Sequence, residues 1–252
     1  MKKHYKHYIF DLYGTLLDIG TDEQKPSLWS LMAKTYNACG CGWKGPALKE
    51  AFFRADKEER RILKDQTGVE FPEIKLERVF ARMLLECAEP HATDACVAGM
   101  SVEALWDAYR TDRQNVLMRV AGSEWCALMA NLFRVHSRSY MRVHACTFEA
   151  LDILKKRGCG IWLLSNAAAV FTRPEIEQSG LKPYFDGIYL SSDYGMMKPE
   201  AAFMELLLKR EGIDRGTAVM AGNEDRSDME IARRCHMDGF LVDPVGDLSG
   251  LL

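Results

Sequence analysis

Apolar positions along this chain fall into two rhythms. Five short runs are apolar, β-branched or aromatic almost throughout: residues 7–11 (HYIFD), 160–165 (GIWLLS), 187–190 (GIYL), 218–222 (AVMAG) and 239–243 (GFLVD). A strand with one face in water alternates apolar and polar residues, whereas a strand covered on both faces does not, so these runs predict a parallel sheet. After Thr147 the intervening segments carry helical spacing. Phe148, Leu151, Ile153 and Leu154 precede Lys155, Lys156, Arg157 and Gly158, and Phe203, Leu206 and Leu207 precede Gly212. Basic residues in a last turn followed by glycine end a helix. Strand and helix therefore alternate, which predicts an α/β fold: a doubly wound parallel sheet of Rossmann-like form.

The stretch between the first two runs is too long for one crossover helix. Residues 19–139 show only helical patterns, over 28–38, 47–64, 74–88, 102–113 and 125–135, punctuated by Gly40, Gly42, Gly45, Pro46, Gly68, Pro72, Pro90 and Gly122. The expected organisation is a core of residues 1–18 and 140–252 with an inserted all-helical domain at 19–139. Trp29, Trp106 and Trp125 are read as the core of that insert.

Composition narrows the function classes. With 48% apolar and 27% charged residues among 252, the chain is globular, and 33 Lys plus Arg against 36 Asp plus Glu leave a net charge of −3. That balance argues against a nucleic-acid grip built on phosphate neutralisation. Residues 19–139 carry 17 cations and 17 carboxylates, so the excess lies in the core. No apolar run approaches the roughly 20 residues that span a bilayer. The basic start Met1, Lys2, Lys3, His4 is followed by an apolar stretch that Asp11 interrupts, so it is not read as a signal peptide. Eight scattered cysteines in a chain of this size read as reduced thiols of a cytoplasmic protein, and Cys39 and Cys41 lack the second pair a zinc site needs. A small-molecule substrate is expected, with no nucleic acid or membrane partner; oligomeric state leaves no mark on the sequence.

Polar chemistry gathers after the apolar runs. Asp11 closes the first, followed by Gly14, which permits a tight turn, and Thr15, which offers a hydroxyl. Alone, Asp11 reads as an Asx-turn. The second run ends in Ser165 and Asn166, a hydroxyl and an amide able to hold an anionic oxygen or to cap a helix. After the third come Lys198 and Pro199, after the fourth Asn223, Glu224, Asp225 and Asp228. Such oxygen clustering is costly unless a hard cation or a lysine compensates it. Each group follows a successive strand, so all four converge on the carboxyl edge of the sheet, where open α/β folds bind ligands.

Together, Asp11-x-x-Gly14-Thr15, Ser165-Asn166, Lys198-Pro199 and Gly222 followed by Asp228 resemble the haloacid dehalogenase superfamily of phosphatases, phosphomutases, phosphonate hydrolases and dehalogenases. The resemblance covers residues 5–18 and about 140–245; the insert matches the family's helical cap in position only. It implies that Asp11 is the nucleophile, that Thr15, Ser165 and Asn166 hold the bound anion, and that Lys198 offsets its charge. It also implies Mg2+ held by Asp11, the Tyr13 carbonyl and the acidic turn, where Asp228 is joined by one or more of Asn223, Glu224 and Asp225. A carboxylate attacks, and water hydrolyses the covalent intermediate.

Two positions depart from the family's phosphatases. They carry an acid–base aspartate two residues after the nucleophile, where this chain has Tyr13, and an aspartate where it has Asn223. Family dehalogenases often have tyrosine at the former position, because a departing halide needs no proton. They also tend to carry a tyrosine six residues after the lysine, where Met204 stands here, and a cap arginine for which Arg54, Arg60 and Arg61 are candidates. The resulting expectation is a Mg2+-dependent phosphatase of a small metabolite, with Tyr13 among its catalytic residues. The alternatives are a metal-independent 2-haloacid dehalogenase and a catalytically retired binding module. Asp18, at the junction into the insert, is either a hinge cap or a residue at the substrate's edge.

Overall fold

The computed structural model describes residues 4–252; the basic start at Met1, Lys2 and Lys3 lies outside them. In chain order the elements are β1 (His7–Phe10), β2 (Leu17–Thr21), α1 (Pro26–Asn37), α2 (Gly45–Thr67), α3 (Leu76–Leu85), β3 (Cys96–Val97), β4 (Met100–Ser101), α4 (Val102–Thr111), α5 (Arg113–Ala121) and α6 (Glu124–Ser137). They continue with β5 (Arg138–Val143), α7 (Thr147–Lys156), β6 (Gly160–Ser165), α8 (Ala169–Gln178), β7 (Gly187–Leu190), α9 (Ser191–Tyr194), α10 (Ala201–Glu211), β8 (Ala218–Gly222), α11 (Glu230–Arg234) and β9 (Asp238–Leu241).

Five strands form one all-parallel sheet in the order β7-β6-β1-β8-β9. The chain moves outward from β1 through β6 and β7, then returns to the other side of β1 for β8 and β9, so the order reverses at β1. Register explains why the runs are apolar throughout. Ile9 aligns with Trp162 and Met220, and shares one core with Leu164, Phe203 and Leu207. Tyr8 and Phe10 point to the opposite core, with Leu163, Val219 and Ala221. Each large side chain buried there contributes about 1.5–3 kcal/mol over exposure.

The chain divides into two compact units. One holds the chain up to Gly20, Gln66–Glu73 and Tyr140–Leu252; the other holds Thr21–Asp65 and Ile74–Ser139. The expected insert at 19–139 differs from this division at two places, Ile19 with Gly20 and the segment Gln66–Glu73, both of which count with the α/β unit. In the helical unit, Trp29, Phe52, Phe80 and Phe133 form an aromatic cluster with centroids 5.1–5.7 Å apart. Trp106 donates its indole N–H to the Leu84 carbonyl and Trp125 meets Tyr36 edge-on.

The expected helix over 102–113 is two helices. Asp112 breaks it with φ −135° and ψ 65°, and α5 then buries Val116, Leu117 and Val120. The β3–β4 hairpin, with positive φ at Ala98 and Gly99, is too short to leave a period-2 pattern. β2 and β5 pair as a two-stranded ribbon in which Asp18 accepts hydrogen bonds from Arg142 and Tyr140. Arg142 holds the half-buried Asp18 carboxyl below its usual range. Among the described residues no helix is long and apolar enough to cross a membrane, and all eight cysteines are free thiols.

Candidate active site

The turn after β1 is drawn tight by its own backbone. The Leu12 carbonyl accepts from the N–H groups of Leu16 and Leu17, both at 2.9 Å, and the Asp11 N–H donates to Ala221 on β8. Gly14 sits at φ +79°, and a Cβ there would stand 2.4 Å from Asn223 Nδ2. Only glycine meets both demands, the left-handed backbone and the close approach. Thr15 Oγ1 donates to Asn223 Oδ1 at 3.1 Å, so the turns after β1 and β8 are tied together where the strand order reverses.

Between these turns lies a buried charge cluster. Lys198 Nζ donates to Asp11 Oδ1 and to Asp228 Oδ1, each at 2.6 Å, and the three residues are 2%, 7% and 1% exposed. Burial raises the Asp11 carboxyl above its usual range; Lys198 opposes that shift and the Asp228 charge adds to it. Burial alone would lower the Lys198 ammonium, but the two carboxylates overcome it and hold the lysine charged. Ser165 Oγ, buried beside Asp11, lies close enough to favour that carboxylate's charged form, yet no group meets it at full hydrogen-bond geometry. A buried hydroxyl without a partner is costly unless a ligand satisfies it.

Two clamps hold the Lys198 backbone. The Asn166 side chain accepts from the Lys198 N–H at 2.7 Å and donates to the Lys198 carbonyl at 2.9 Å. The amide expected to face the anion is thereby committed to placing the lysine. On the other side runs the segment Gln66–Glu73. The Met197 N–H donates to the Phe71 carbonyl and the Glu73 N–H to the Gly195 carbonyl, Glu200 accepts from the N–H groups of Glu70 and Phe71, and Arg234 pairs with Glu70. Nothing in residues 66–73 beyond the breakers Gly68 and Pro72 signals this role, because main-chain hydrogen bonds leave no side-chain signature.

Other expected residues are placed differently from their simplest reading. The Tyr13 hydroxyl donates to Glu175 and to Thr172 on α8, so the phenol is tethered to the helix rather than presented to a leaving group. The three carboxylates after β8 do not converge. Asp225 is exposed and pairs with Arg233, and the exposed Glu224 accepts from Ser227, which leaves Asp228 alone facing Asp11. The reason is the wide turn at Asp225–Met229, which sends successive side chains in different directions. Arg60 and Arg61 are paired along α2 with Asp56, and with Glu58 and Asp65.

Gly222, at the end of β8, would place a Cβ 2.2 Å from Asp228 Oδ2. That carboxylate is pinned by Lys198 and by the Glu224 N–H at 3.0 Å, so it has no room to retreat. Gly222→Ala is therefore expected to cost about 1–3 kcal/mol in overpacking. A thermal melt matching that of the unsubstituted protein would contradict this.

A cavity of about 200 Å3 opens at this edge, lined by Asp11, Tyr13, Ser165, Asn166, Lys198, Asn223 and Glu224. Its donors suit Mg2+, which prefers hard oxygen ligands and one or two carboxylates, with water and substrate completing the shell. Asp11 and Glu224 line it with carboxylates and Asn223 with an amide oxygen, while Asp228 is buried behind them, its two oxygens held by the Lys198 ammonium and the Glu224 N–H. Among the described residues no three His, Cys, Asp or Glu side chains form a preassembled metal cluster.

The model of a haloacid dehalogenase-like hydrolase family matches residues 5–236. The chain belongs to this family. Among solved structures, this chain is similar to a 2-haloacid dehalogenase from Pseudomonas syringae pv. Tomato, with TM-score 0.57 and 18% identity over 96% of this chain and 88% of the other. It also resembles the L-2-haloacid dehalogenase RSc1362, with TM-score 0.51 and 15% identity over 97% and 89%. At such identities the likeness is one of fold. Among curated proteins, it is 28% identical over 132 residues to a glyceraldehyde 3-phosphate phosphatase from Methanothermobacter thermautotrophicus, covering 51% of this chain and 58% of that one. It is 25% identical over 97 residues to the pyrimidine 5'-nucleotidase PynA of Streptococcus pneumoniae, covering 38% and 41%. The chain thus spans about half the length of the curated relatives it matches.

Proposed function

We propose that this hydrolase is a Mg2+-dependent phosphatase of small phosphorylated metabolites, working through an aspartyl-phosphate on Asp11. The observation that carries this reading is the buried trio of Asp11, Lys198 and Asp228. Two carboxylates share one ammonium, so a net negative charge is left in a nearly dry site beside further hard-oxygen donors. A second cation relieves that excess. The names of the relatives, a sugar-phosphate phosphatase and a nucleotidase, support the same direction.

In this reading Asp11, Asp228, Asn223 and the Tyr13 carbonyl hold the ion, with Glu224 at the rim. Mg2+ when bound shields the anionic phosphoryl group as it approaches a carboxylate. Asp11 attacks phosphorus and the ester oxygen leaves with the bonding electrons; water then cleaves the aspartyl-phosphate and regenerates the carboxylate. The Ser165 hydroxyl and the Lys198 ammonium hold phosphoryl oxygens, which gives Ser165 Oγ a well-aligned acceptor, while the Thr15 hydroxyl, spent on Asn223 Oδ1, positions that amide. Asn166 positions Lys198. In this reading the core of residues 1–18 and 140–252 supplies the chemistry, the insert at 19–139 supplies the choice of substrate, and the eight free thiols fit a reducing cytoplasm.

Tyr13 shapes the substrate class. Its hydroxyl is committed to Glu175 and Thr172, so it does not protonate the departing oxygen, and losing a general acid costs about 10²- to 10⁴-fold. Aryl and acyl phosphates, whose leaving groups depart unprotonated, are expected to turn over faster than alkyl phosphates by that margin. Hydrolysis of p-nitrophenyl phosphate by the purified protein is expected with Mg2+ and is expected to stop in EDTA. The same tether favours a second reading, a metal-independent 2-haloacid dehalogenase, because halide leaves without a proton. Halide release from 2-haloacids in EDTA, with no phosphate release in Mg2+, would replace the first reading with the second.

A further inference from the structure

The helical unit contains a larger cavity, about 500 Å3, within the range of about 300–1,000 Å3 typical of small-ligand sites. Ala51, Ala55 and Met83 give it an apolar floor, and Trp43 forms part of the wall. Trp43 is held in place: its indole N–H donates to the Met83 carbonyl and its backbone N–H to Asn37 Oδ1, both at 2.8 Å.

The charges around this cavity do not balance. Of the lining carboxylates, Glu58 accepts two hydrogen bonds from Arg61, and Glu86 accepts from Arg82, Arg113 and the Tyr109 hydroxyl. Both are neutralised within the unit. Arg60, Arg61, Arg78 and Arg82, the other arginines of α2 and α3, all pair with carboxylates. Arg54 and Lys57 also line the cavity, are exposed, and have no hydrogen-bond or ion-pair partner among the described residues. Two unmatched cations, one turn apart on α2, therefore flank an apolar hole with an indole in its wall.

We propose that this cavity binds a small aromatic anion, a flat ring bearing a carboxylate, sulfonate or phosphate. The ring packs against Trp43 and the apolar floor, and the anionic group lies between Arg54 and Lys57. Each part of the site asks for one part of the ligand. An anion without a ring leaves the floor wet, and a ring without a charge leaves the cations unmatched.

The test is calorimetric titration of the full chain with 1-naphthalenesulfonate, which has no ester bond for the enzyme to hydrolyse. One site is expected, weakened roughly ten-fold or more in Arg54→Gln/Lys57→Gln, since hydrogen bonds to charged groups are the strong ones. Arg54→Lys/Lys57→Arg keeps both charges and is expected to bind within a few-fold of the unsubstituted protein. That separates lost charge from a damaged fold. Uncharged 1-naphthalenemethanol is expected to bind more weakly than the sulfonate. Asp11→Asn is expected to bind the sulfonate unchanged, so the outcome does not depend on the phosphatase reading. No binding, equal binding by the glutamine variant, equal binding by the neutral analogue, or loss of binding in Asp11→Asn would each overturn the proposal.

Discussion

Asp11→Asn is expected to lower p-nitrophenyl phosphate hydrolysis by at least ~10³-fold while leaving the melting temperature in EDTA unchanged or higher. The two halves follow from different properties of one residue. As the nucleophile, the carboxylate is the atom group that forms the covalent intermediate, and an amide of the same shape does not attack phosphorus. As part of the buried trio, it is one of two carboxylates sharing Lys198, and burial already holds its pKa above the usual range. Removing that charge leaves Lys198 and Asp228 as a one-to-one pair at 2.6 Å. The site then loses an unfavourable desolvated charge and keeps one of its two equal contacts to the ammonium. An ordinary buried salt-bridge partner behaves the opposite way, so the melt separates a carboxylate kept for chemistry from one kept for stability. Retained hydrolysis in a well-folded Asp11→Asn protein would remove Asp11 from the nucleophile's role and favour a retired binding module.

Much of this site is legible in the sequence because strands buried on both faces leave unmistakable runs. Three of the five runs, at 160–165, 187–190 and 218–222, have the observed strand bounds, and the other two differ by one or two residues. Once the runs are placed, the polar residues that follow them fall on one edge by topology alone, which is how Asp11, Ser165, Lys198 and Asp228 come together. Side-chain direction is less legible. Asn166, Tyr13 and Asp225 sit at the expected edge, yet each spends its polar atoms on a neighbour: the Lys198 backbone, Glu175 and Thr172, and Arg233. A single sequence offers no cue to Glu175 or Thr172, polar residues buried in a helix that carries an internal Pro174 and little apolar periodicity. The segment 66–73 is opaque for a different reason. Its grip on the Lys198 loop is made by main-chain groups and by Glu200, residues whose type alone reads as solvated surface.

Lys198→Met should be the most damaging single change in the α/β unit. Methionine fills a similar volume but leaves Asp11 and Asp228 facing each other without a cation, in positions 7% and 1% exposed. Breaking a buried ion pair from one side typically costs about 3–5 kcal/mol. Hydrolysis of p-nitrophenyl phosphate should fall as well, since the lysine no longer offsets charge on the phosphoryl group. The pH dependence carries a definite sign. Without the ammonium, the burial and mutual repulsion that already raise Asp11 act unopposed, so the native protein takes up a proton that the unfolded chain does not. Stability then falls as pH rises through the folded pKa and recovers as pH is lowered toward the unfolded carboxylate value of about 4. In EDTA, the melting temperature of Lys198→Met should therefore climb on acidification from neutral pH, relative to the unsubstituted protein at each pH. With Mg2+ at neutral pH the variant should regain part of its loss, because a cation between the carboxylates replaces the missing charge and binds only the folded state. A variant as stable as its parent, indifferent to both acid and Mg2+, would show that Asp11 and Asp228 do not face each other as a desolvated pair. The electrostatic basis for a metal at this edge would then be lost.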